Sequence, residues 1–309
     1  MHLPVMAAEV VKHLVTRTDG VYVDCTVGGG GHARPILLNA PAGRLLGVDM
    51  DEAALSEARN TLESFGGRYE LAHGNFAQLR EIAAESGFRE VDGVLFDLGF
   101  SSLQLDDPER GLSFSGDGPI DMRLDRSTGE TALHLIAHSS ERELAGVLFE
   151  FGEEKRSHPI ARSIIEARDR GRLETTSDLT GAVLATKPAR RTKTLARVFQ
   201  ALRIAVNSEL SNLRAGLKGA VEILRPGGRI VVISYHSLED RITKHFFLDC
   251  ENPCTCPREL PECACGAVPT LRVLTRRIVR PGQSELAENS RARSAKLRVA
   301  ERLGQGERP

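Results

Sequence analysis

The chain has 309 residues, 41% apolar and 27% charged, with a formal net charge of −1, the profile of a globular protein large enough for one big domain or two modest ones. Near-neutrality excludes a uniformly basic nucleic-acid binder, so basic groups meant for phosphate have to be clustered. No stretch approaches the ~20 apolar residues of a membrane span, and Met1–Val11 lacks the cationic and long apolar regions of a secretory signal, so a cytoplasmic chain with no membrane partner is expected.

Taken in order, Val10, Val11, Leu14 and Val15 predict a short amphipathic helix within residues 1–16. Val21–Asp24 reads as a buried strand, followed by four glycines, Gly28–Gly31, and a helix over Ala33–Leu38. Strand, glycine turn and helix allow backbone N–H groups to approach a ligand closely. Gly28-x-Gly30-x-x-Ala33 is compatible with a dinucleotide loop, with a plain tight turn as the blander alternative. Arg44–Val48 is a second strand ending at Asp49, and Asp51 caps a helix carrying Leu55, Ala58, Leu62 and Phe65. Tyr69–Ala72 and Val91–Phe96 are the third and fourth strands, the latter ending in Asp97-Leu98-Gly99-Phe100. Strands alternating with helices imply a parallel sheet with ligands at the carboxyl ends of its strands.

From Asp106 to about Asn207 the apolar spacing turns helical, with segments at Ala132–His138, Glu141–Phe151, Ile160–Asp169 and Leu179–Ala185. The α/β pattern returns with a helix over Ser208–Leu224, a breaker at Arg225-Pro226-Gly227-Gly228 and a fifth strand at Arg229–Ser234. Tyr235–Arg241 leads into a helix to Phe247, and Leu271–Val279 and Ala295–Ala300 are expected as late edge strands. The expected division is an α/β domain in two parts, residues 1–106 and 208–309, around an all-helical insertion at 107–207 that recognises substrate.

Several constellations could carry chemistry. Asp49 ends the second strand eighteen residues beyond Gly31, where a carboxylate accepts hydrogen bonds from ribose hydroxyls; this suits NAD or S-adenosylmethionine and disfavours NADP. Its bland role is in the helix cap with Asp51. Asp97-Leu98-Gly99-Phe100 stands where amino-methylating enzymes carry an Asp/Asn/Ser-Pro-Pro-aromatic sequence. A base-conjugated amine is a poor nucleophile, and acceptors aimed at its hydrogens favour the pyramidal form while an aromatic ring stacks on the extruded base. Phe100 serves equally well as core cover. His236 suits a general base or a phosphate contact, whereas Ser237 and Glu239 are expected to cap a helix.

Two basic clusters, Lys187/Arg190/Arg191/Lys193/Arg197/Arg203 and Arg291/Arg293/Lys296/Arg298/Arg302, suit phosphate contacts or solvated faces. Cys254-x-Cys256 and Cys263-x-Cys265, with Cys250 nearby, leave zinc and free thiols both open, because the spacing is tighter than in most zinc motifs.

Taken together, these stretches resemble the bacterial 16S rRNA (cytosine N4)-methyltransferase family over nearly the whole chain. The resemblance rests on His2–Val5, Asp24–His32, Asp97–Asp106, Glu109–Phe114, Gly118–Arg123, Phe199–Ile204 with Asn207 and Glu209, and Ser234–Arg241. It implies a Rossmann-like S-adenosylmethionine-dependent methyltransferase sheet with an inserted helical domain, and a cytosine of the decoding region, in 16S rRNA of the small ribosomal subunit, as substrate. S-adenosylmethionine would meet Gly30, Gly31 and His32 at its methionine end and Asp49 at its ribose. Phe76 and Asp97 would surround the adenine and sulfonium, with Gln104 reaching back to the cofactor. Asp97 and His236 are the expected catalytic residues; the protein would act as a monomer or homodimer. Phe100 stands where the family often has Val, and the cysteine segment belongs to only part of the family, so neither base stacking nor zinc follows from the resemblance. Rival readings are a DNA amino-methyltransferase, an NAD-dependent oxidoreductase and a zinc-stabilised rRNA-binding assembly factor.

Overall fold

The computed structural model describes residues 4–100, 102–257 and 265–307. His2, Leu3, Ser101, Cys263 and the side chains of Ser102, Leu103, Ser290 and Arg291, which carry parts of the patterns above, lie outside the described residues. The chain divides into two compact units, residues 4–99 with 210–307 and residues 100–209.

The first unit is built on strands β1 (Val21–Asp24), β2 (Arg44–Asp49), β3 (Tyr69–His73), β4 (Val91–Asp97), β5 (Leu224–Ser234), β6 (Leu271–Val273) and β7 (Lys296–Arg302). Their order is β3-β2-β1-β4-β5-β7-β6, with the first five parallel and β7 antiparallel to both β5 and β6. Strand residues alternate between the faces. Tyr22, Leu45, Leu95, Val231 and Ile233 pack with α1 (Ala7–Leu14), α2 (Ala33–Asn39) and α3 (Glu52–Leu62). On the other face Val23, Leu46, Val94, Phe96 and Val232 pack with residues of α4 (Leu79–Glu85) and the later helices introduced below. The result is a three-layer, Rossmann-like α/β sandwich.

Among the described residues of the 100–209 unit the regular structure is helical apart from an isolated bridge: α5 (Ser102–Asp106), α6 (Ala132–His138), α7 (Glu141–Glu150), α8 (Ser157–Asp169), α9 (Thr176–Ala185) and α10 (Arg191–Asn207), with an irregular stretch before α6. Its helix starts are written in the sequence: Ser140 with Glu143 and Thr175 with Asp178 form reciprocal capping boxes. Leu144, Leu148, Ile160, Ile164, Val183, Val198 and Leu202 form its own core; fully burying such a side chain contributes roughly 1.5–3 kcal/mol. Gly111 is required, with φ +65° and a backbone so close to Pro119 that a Cβ would strike its carbonyl oxygen. The final helices are α11 (Glu209–Ile223), α12 (Ser237–Glu251) and α13 (Gln283–Glu288).

Two local expectations are corrected. The Arg225–Gly228 breaker lies inside the bounds of β5, because Leu224 already pairs with Val91 and the register shifts before Gly93 meets Arg229. The expected strand over Leu271–Val279 stops at Val273, since Thr275 Oγ1 accepts the Val299 N–H at 2.8 Å and takes a donor the ladder needs. The two compact units meet along the chain at Gly99/Phe100 and Glu209/Leu210. The chain leaves β4 through Gly99 at φ +105°, and Glu209 is held to α10 by Arg203 at 2.7 Å.

Candidate active site

Because β1, β2 and β4 run parallel, Asp24, Asp49 and Asp97 all emerge at one end of the sheet. The strand order reverses direction between β1 and β4, the place where open α/β sheets take ligands. There the Asp97 N–H donates to Thr26 Oγ1 at 2.7 Å, and the Thr26 N–H donates to Asp24 Oδ1 at 3.2 Å. The Asp97 carboxylate accepts from the Tyr235 hydroxyl at 2.8 Å through Oδ1, while Oδ2 lies 3.2 Å from His32 Nε2. Two partners on different oxygens lock its rotamer, yet its side chain remains 22% exposed and reachable.

Beneath it the electrostatics are unbalanced. Asp24 is fully buried, and loss of water pushes its carboxyl up to about 7 against the pull of His32 and the Thr26 N–H. Burial likewise raises Asp49 to about 6, although it accepts backbone N–H groups. For His32 burial disfavours the imidazolium, but Asp97, Asp24 and Glu285 outweigh it and raise the ring above its ordinary value. Burial and the neighbouring Asp97 charge together hold the Tyr235 phenol well above its ordinary range, so it acts only as a donor. Among the described residues, Asp24 Oδ2 and His32 Nδ1 are buried without a hydrogen-bond partner. The arrangement concentrates carboxylates with too little positive charge, which is chemistry suited to a cationic ligand.

The glycine loop is tied to this end of the sheet. Asp49 Oδ2 accepts the Gly28 N–H at 2.8 Å and Oδ1 the Asp51 N–H at 3.0 Å, while Asp51 caps α3 through Ala53. Asp49 therefore braces both the loop and the cap, with lone pairs left for further donors. Gly28 and Gly30 have φ +51° and +86°, and a Cβ on Gly30 would lie 3.3 Å from Thr61 of α3. A Cβ on Gly31 would face Pro4 at 3.4 Å. The Asp49 carbonyl accepts the Gly74 N–H at 2.9 Å, which ties the Phe76 loop to β2. Phe76 stands edge-on to Phe96 at 5.5 Å, and Gly216 of α11 makes room for it, since a Cβ there would come within 2.8 Å of the ring.

The other expected residues are distributed differently. His236, not Ser237, is the N-cap of α12: its Nδ1 accepts the Glu239 N–H at 3.4 Å, and Nε2 lies 3.0 Å from Glu239 Oε1. The imidazole is thereby held against Glu239 at the start of α12. Gln104 is buried in α5 of the helical unit. Phe100 carries the Arg203 guanidinium on its ring at 4.7 Å. Arg203 is buried and bound bidentately to Glu209 at 2.7 and 2.9 Å, so it leaves the set of phosphate contacts. Arg298, on Asp240 at 2.7 Å, is buried as well, whereas Lys187, Arg190, Arg191, Lys193 and Arg293 are exposed. The thiols of Cys254, Cys256 and Cys265 come together.

Sequence reading passed over Asp24, Thr26, Tyr235 and Glu285 as functional positions. Glu285 lies far along the chain from the strand ends, and no local pattern marks it; its Oε1 accepts the Met6 N–H at 2.6 Å while its charge acts on His32 and Tyr235. Asp24 looked like an ordinary strand terminus.

Residues 1–303 match the model of the MraW methylase family. The chain is 51% identical over 307 residues to the ribosomal RNA small subunit methyltransferase H of Geobacter sulfurreducens, covering 98% of this chain and 99% of that one. The protein of the same name from Carboxydothermus hydrogenoformans is 48% identical, with 98% of each chain covered. In Thermomicrobium roseum the figure is 49%, covering 98% of this chain and 94% of its relative. A glycine loop braced by Asp49, a polar hub on Asp97 and this end-to-end similarity lead to one assignment: the chain belongs to the MraW methylase family.

Proposed function

We propose that the protein transfers a methyl group from S-adenosylmethionine to the N4 amine of a cytosine in the decoding region of 16S rRNA, within the small ribosomal subunit in the cytoplasm. The observation that carries this reading is the under-neutralised carboxylate cluster at the β1/β4 strand ends, with Asp97 held by two donors and still reachable. The names of the relatives support the rRNA substrate.

The residues present fit the cofactor. Asp24 and Asp49, both raised by burial, favour a cation, and Asp49 retains acceptor capacity for ribose hydroxyls. Gly30, Gly31 and His32 would hold the methionine end, and Phe76 would offer its ring to the adenine. When bound, S-adenosylmethionine supplies an electrophilic methyl group on a sulfonium.

Asp97 accepts a hydrogen bond from the cytosine amine and favours the pyramidal nitrogen whose lone pair is no longer delocalised into the base. Tyr235 and His32 keep the carboxylate from rotating away, which converts a flexible acceptor into an oriented one. His236, oriented by Glu239, lines the base or phosphate side of the β5 strand end. Exposed Lys187, Arg190, Arg191 and Lys193 supply phosphate contacts from the helical unit.

The test is methyl transfer from labelled S-adenosylmethionine to unmodified small ribosomal subunits, followed by nucleoside analysis of the digested rRNA. Label in N4-methylcytidine is the expected outcome; label in another nucleoside would overturn the base assignment, and cofactor binding without label would overturn the substrate.

A further inference from the structure

We propose that Cys254, Cys256 and Cys265 form a thiolate site for a zinc ion that staples the connection between α12 and β6. The site is separate from the carboxylate cluster and independent of the proposed reaction.

The connection poses a stability problem. Its base is closed where the Thr270 N–H donates to the Cys250 carbonyl at 2.9 Å, next to the end of α12. Beyond that closure, the described residues 252–257 and 265–270 contain no helix or strand. They also bury little: Val268 is 65% exposed, and no residue between 253 and 257 or 265 and 268 is buried. Described limbs without helix, strand or apolar burial have little to offset their conformational entropy.

What the segment does hold together is sulfur. One Sγ from each of the three cysteines lies within 4.8 Å of the others, and the Cys254 and Cys265 sulfurs are 3.8 Å apart. That separation is far beyond a disulfide bond, which is about 2.05 Å. It equals the edge of a tetrahedral zinc–thiolate site: Zn–S bonds of about 2.3 Å place neighbouring sulfurs roughly 3.8 Å apart. Cys254 and Cys256 are separated by one residue, the spacing at which two side chains of an extended segment point to one side, and Cys265 approaches from the other limb of the connection. Gly266, with φ +62°, follows Cys265 in the left-handed region that glycine adopts without strain. A set of thiolates selects a soft or borderline cation such as zinc over magnesium or calcium. Binding displaces one proton from each thiol, so the ion replaces hydrogens without any redox step.

The test uses the full chain purified under reducing conditions without chelator. Metal analysis is expected to find about one zinc per chain, and cobalt substitution to give thiolate-to-cobalt charge-transfer and tetrahedral d–d bands. Cys254→Ser and Cys265→Ser are each expected to weaken zinc binding about tenfold or more, whereas Cys250→Ser, outside the cluster, retains it. Removing zinc from the unmutated chain with a chelator should lower its Tm, and adding zinc back should restore it, a readout that does not depend on any variant folding. A zinc-free chain without cobalt bands, zinc retained in both cluster variants, or a Cys254–Cys265 disulfide in the freshly purified protein would each overturn the site.

Discussion

The ion pairs of the helical unit and the carboxylates at the β1 and β2 strand ends handle charge in opposite ways. In the helical unit, buried or nearly buried ions meet partners of opposite sign: Arg203 grips Glu209 with two hydrogen bonds, and Arg123 grips Asp121 at 2.8 and 2.9 Å. Burial pushes Asp121 up, yet the Arg123 hydrogen bonds and charge, with Arg126, hold it below its ordinary value. At the β1 and β2 strand ends, fully buried Asp24 and half-buried Asp49 have backbone donors and a single nearby imidazole, and they rise to about 7 and about 6. The first arrangement serves cohesion. The second leaves the proposed binding site short of positive charge at a cost to stability, a pattern common at functional sites.

This contrast can be broken at several points. The largest effect is expected for Asp97→Ala, which should lower methyl transfer by about 10²–10⁴-fold while changing cofactor affinity much less. Equal losses in single-turnover rate and calorimetric affinity would make Asp97 a cofactor residue only. In the helical unit, Arg203→Ala leaves Glu209 without its guanidinium partner and should destabilise the fold by about 3 kcal/mol in urea unfolding. A variant as stable as the parent would remove the pairing from the cohesive side of the comparison.

Asp24→Asn should act in the reverse direction and stabilise the protein near pH 7, with an upper limit of about 4 kcal/mol. The folded carboxyl titrates at about 7 and the unfolded one at 3.8, so the parent bears the full cost above pH 7. That cost shrinks as pH falls and is gone below the unfolded value, and the difference in stability between parent and variant should follow this course. A difference independent of pH between 4 and 7 would refute the raised carboxyl. The smallest effect concerns binding: cofactor affinity should rise by up to about tenfold per pH unit for each carboxylate as Asp49 and then Asp24 lose their protons, and level off above about pH 8. Calorimetry in buffers of different ionisation enthalpy should detect the matching proton release near pH 6–7, and its absence would mean the ligand does not sense these groups.

Much of the sheet was legible because β-branched runs ending in Asp24, Asp49 and Asp97 repeat at intervals that leave room for helices. The helical unit was legible as a change of period, although α10, its longest helix, did not stand out among the individual segments. Arginines and a lysine stud its exposed side, and the same spacing that suggested a phosphate-binding face sends Arg203 inward to Glu209. Legibility fails where one side chain outcompetes the backbone pattern: Thr275 captures a ladder donor, and His236 takes a cap expected of Ser237. It fails again where distant segments meet. No local signal places Tyr235 on Asp97, or Glu285 beside the Met6 N–H, because those contacts exist only once the strands are in order.

The insertion of 110 residues between Gly99 and Leu210 also has a consequence for how the molecule is made. β4 emerges from the ribosome well before β5, the strand that covers its second edge. At about 5–20 residues per second, translation of the intervening unit takes roughly 5–20 s. Throughout that interval Val91–Phe96, six residues that are all buried in the finished sheet, present an open edge on the nascent chain. The helical unit, with its own core and capping boxes, can fold in the meantime. Biogenesis is therefore most exposed to aggregation and to chaperone capture while residues 100–209 are being synthesised, before a complete sheet exists.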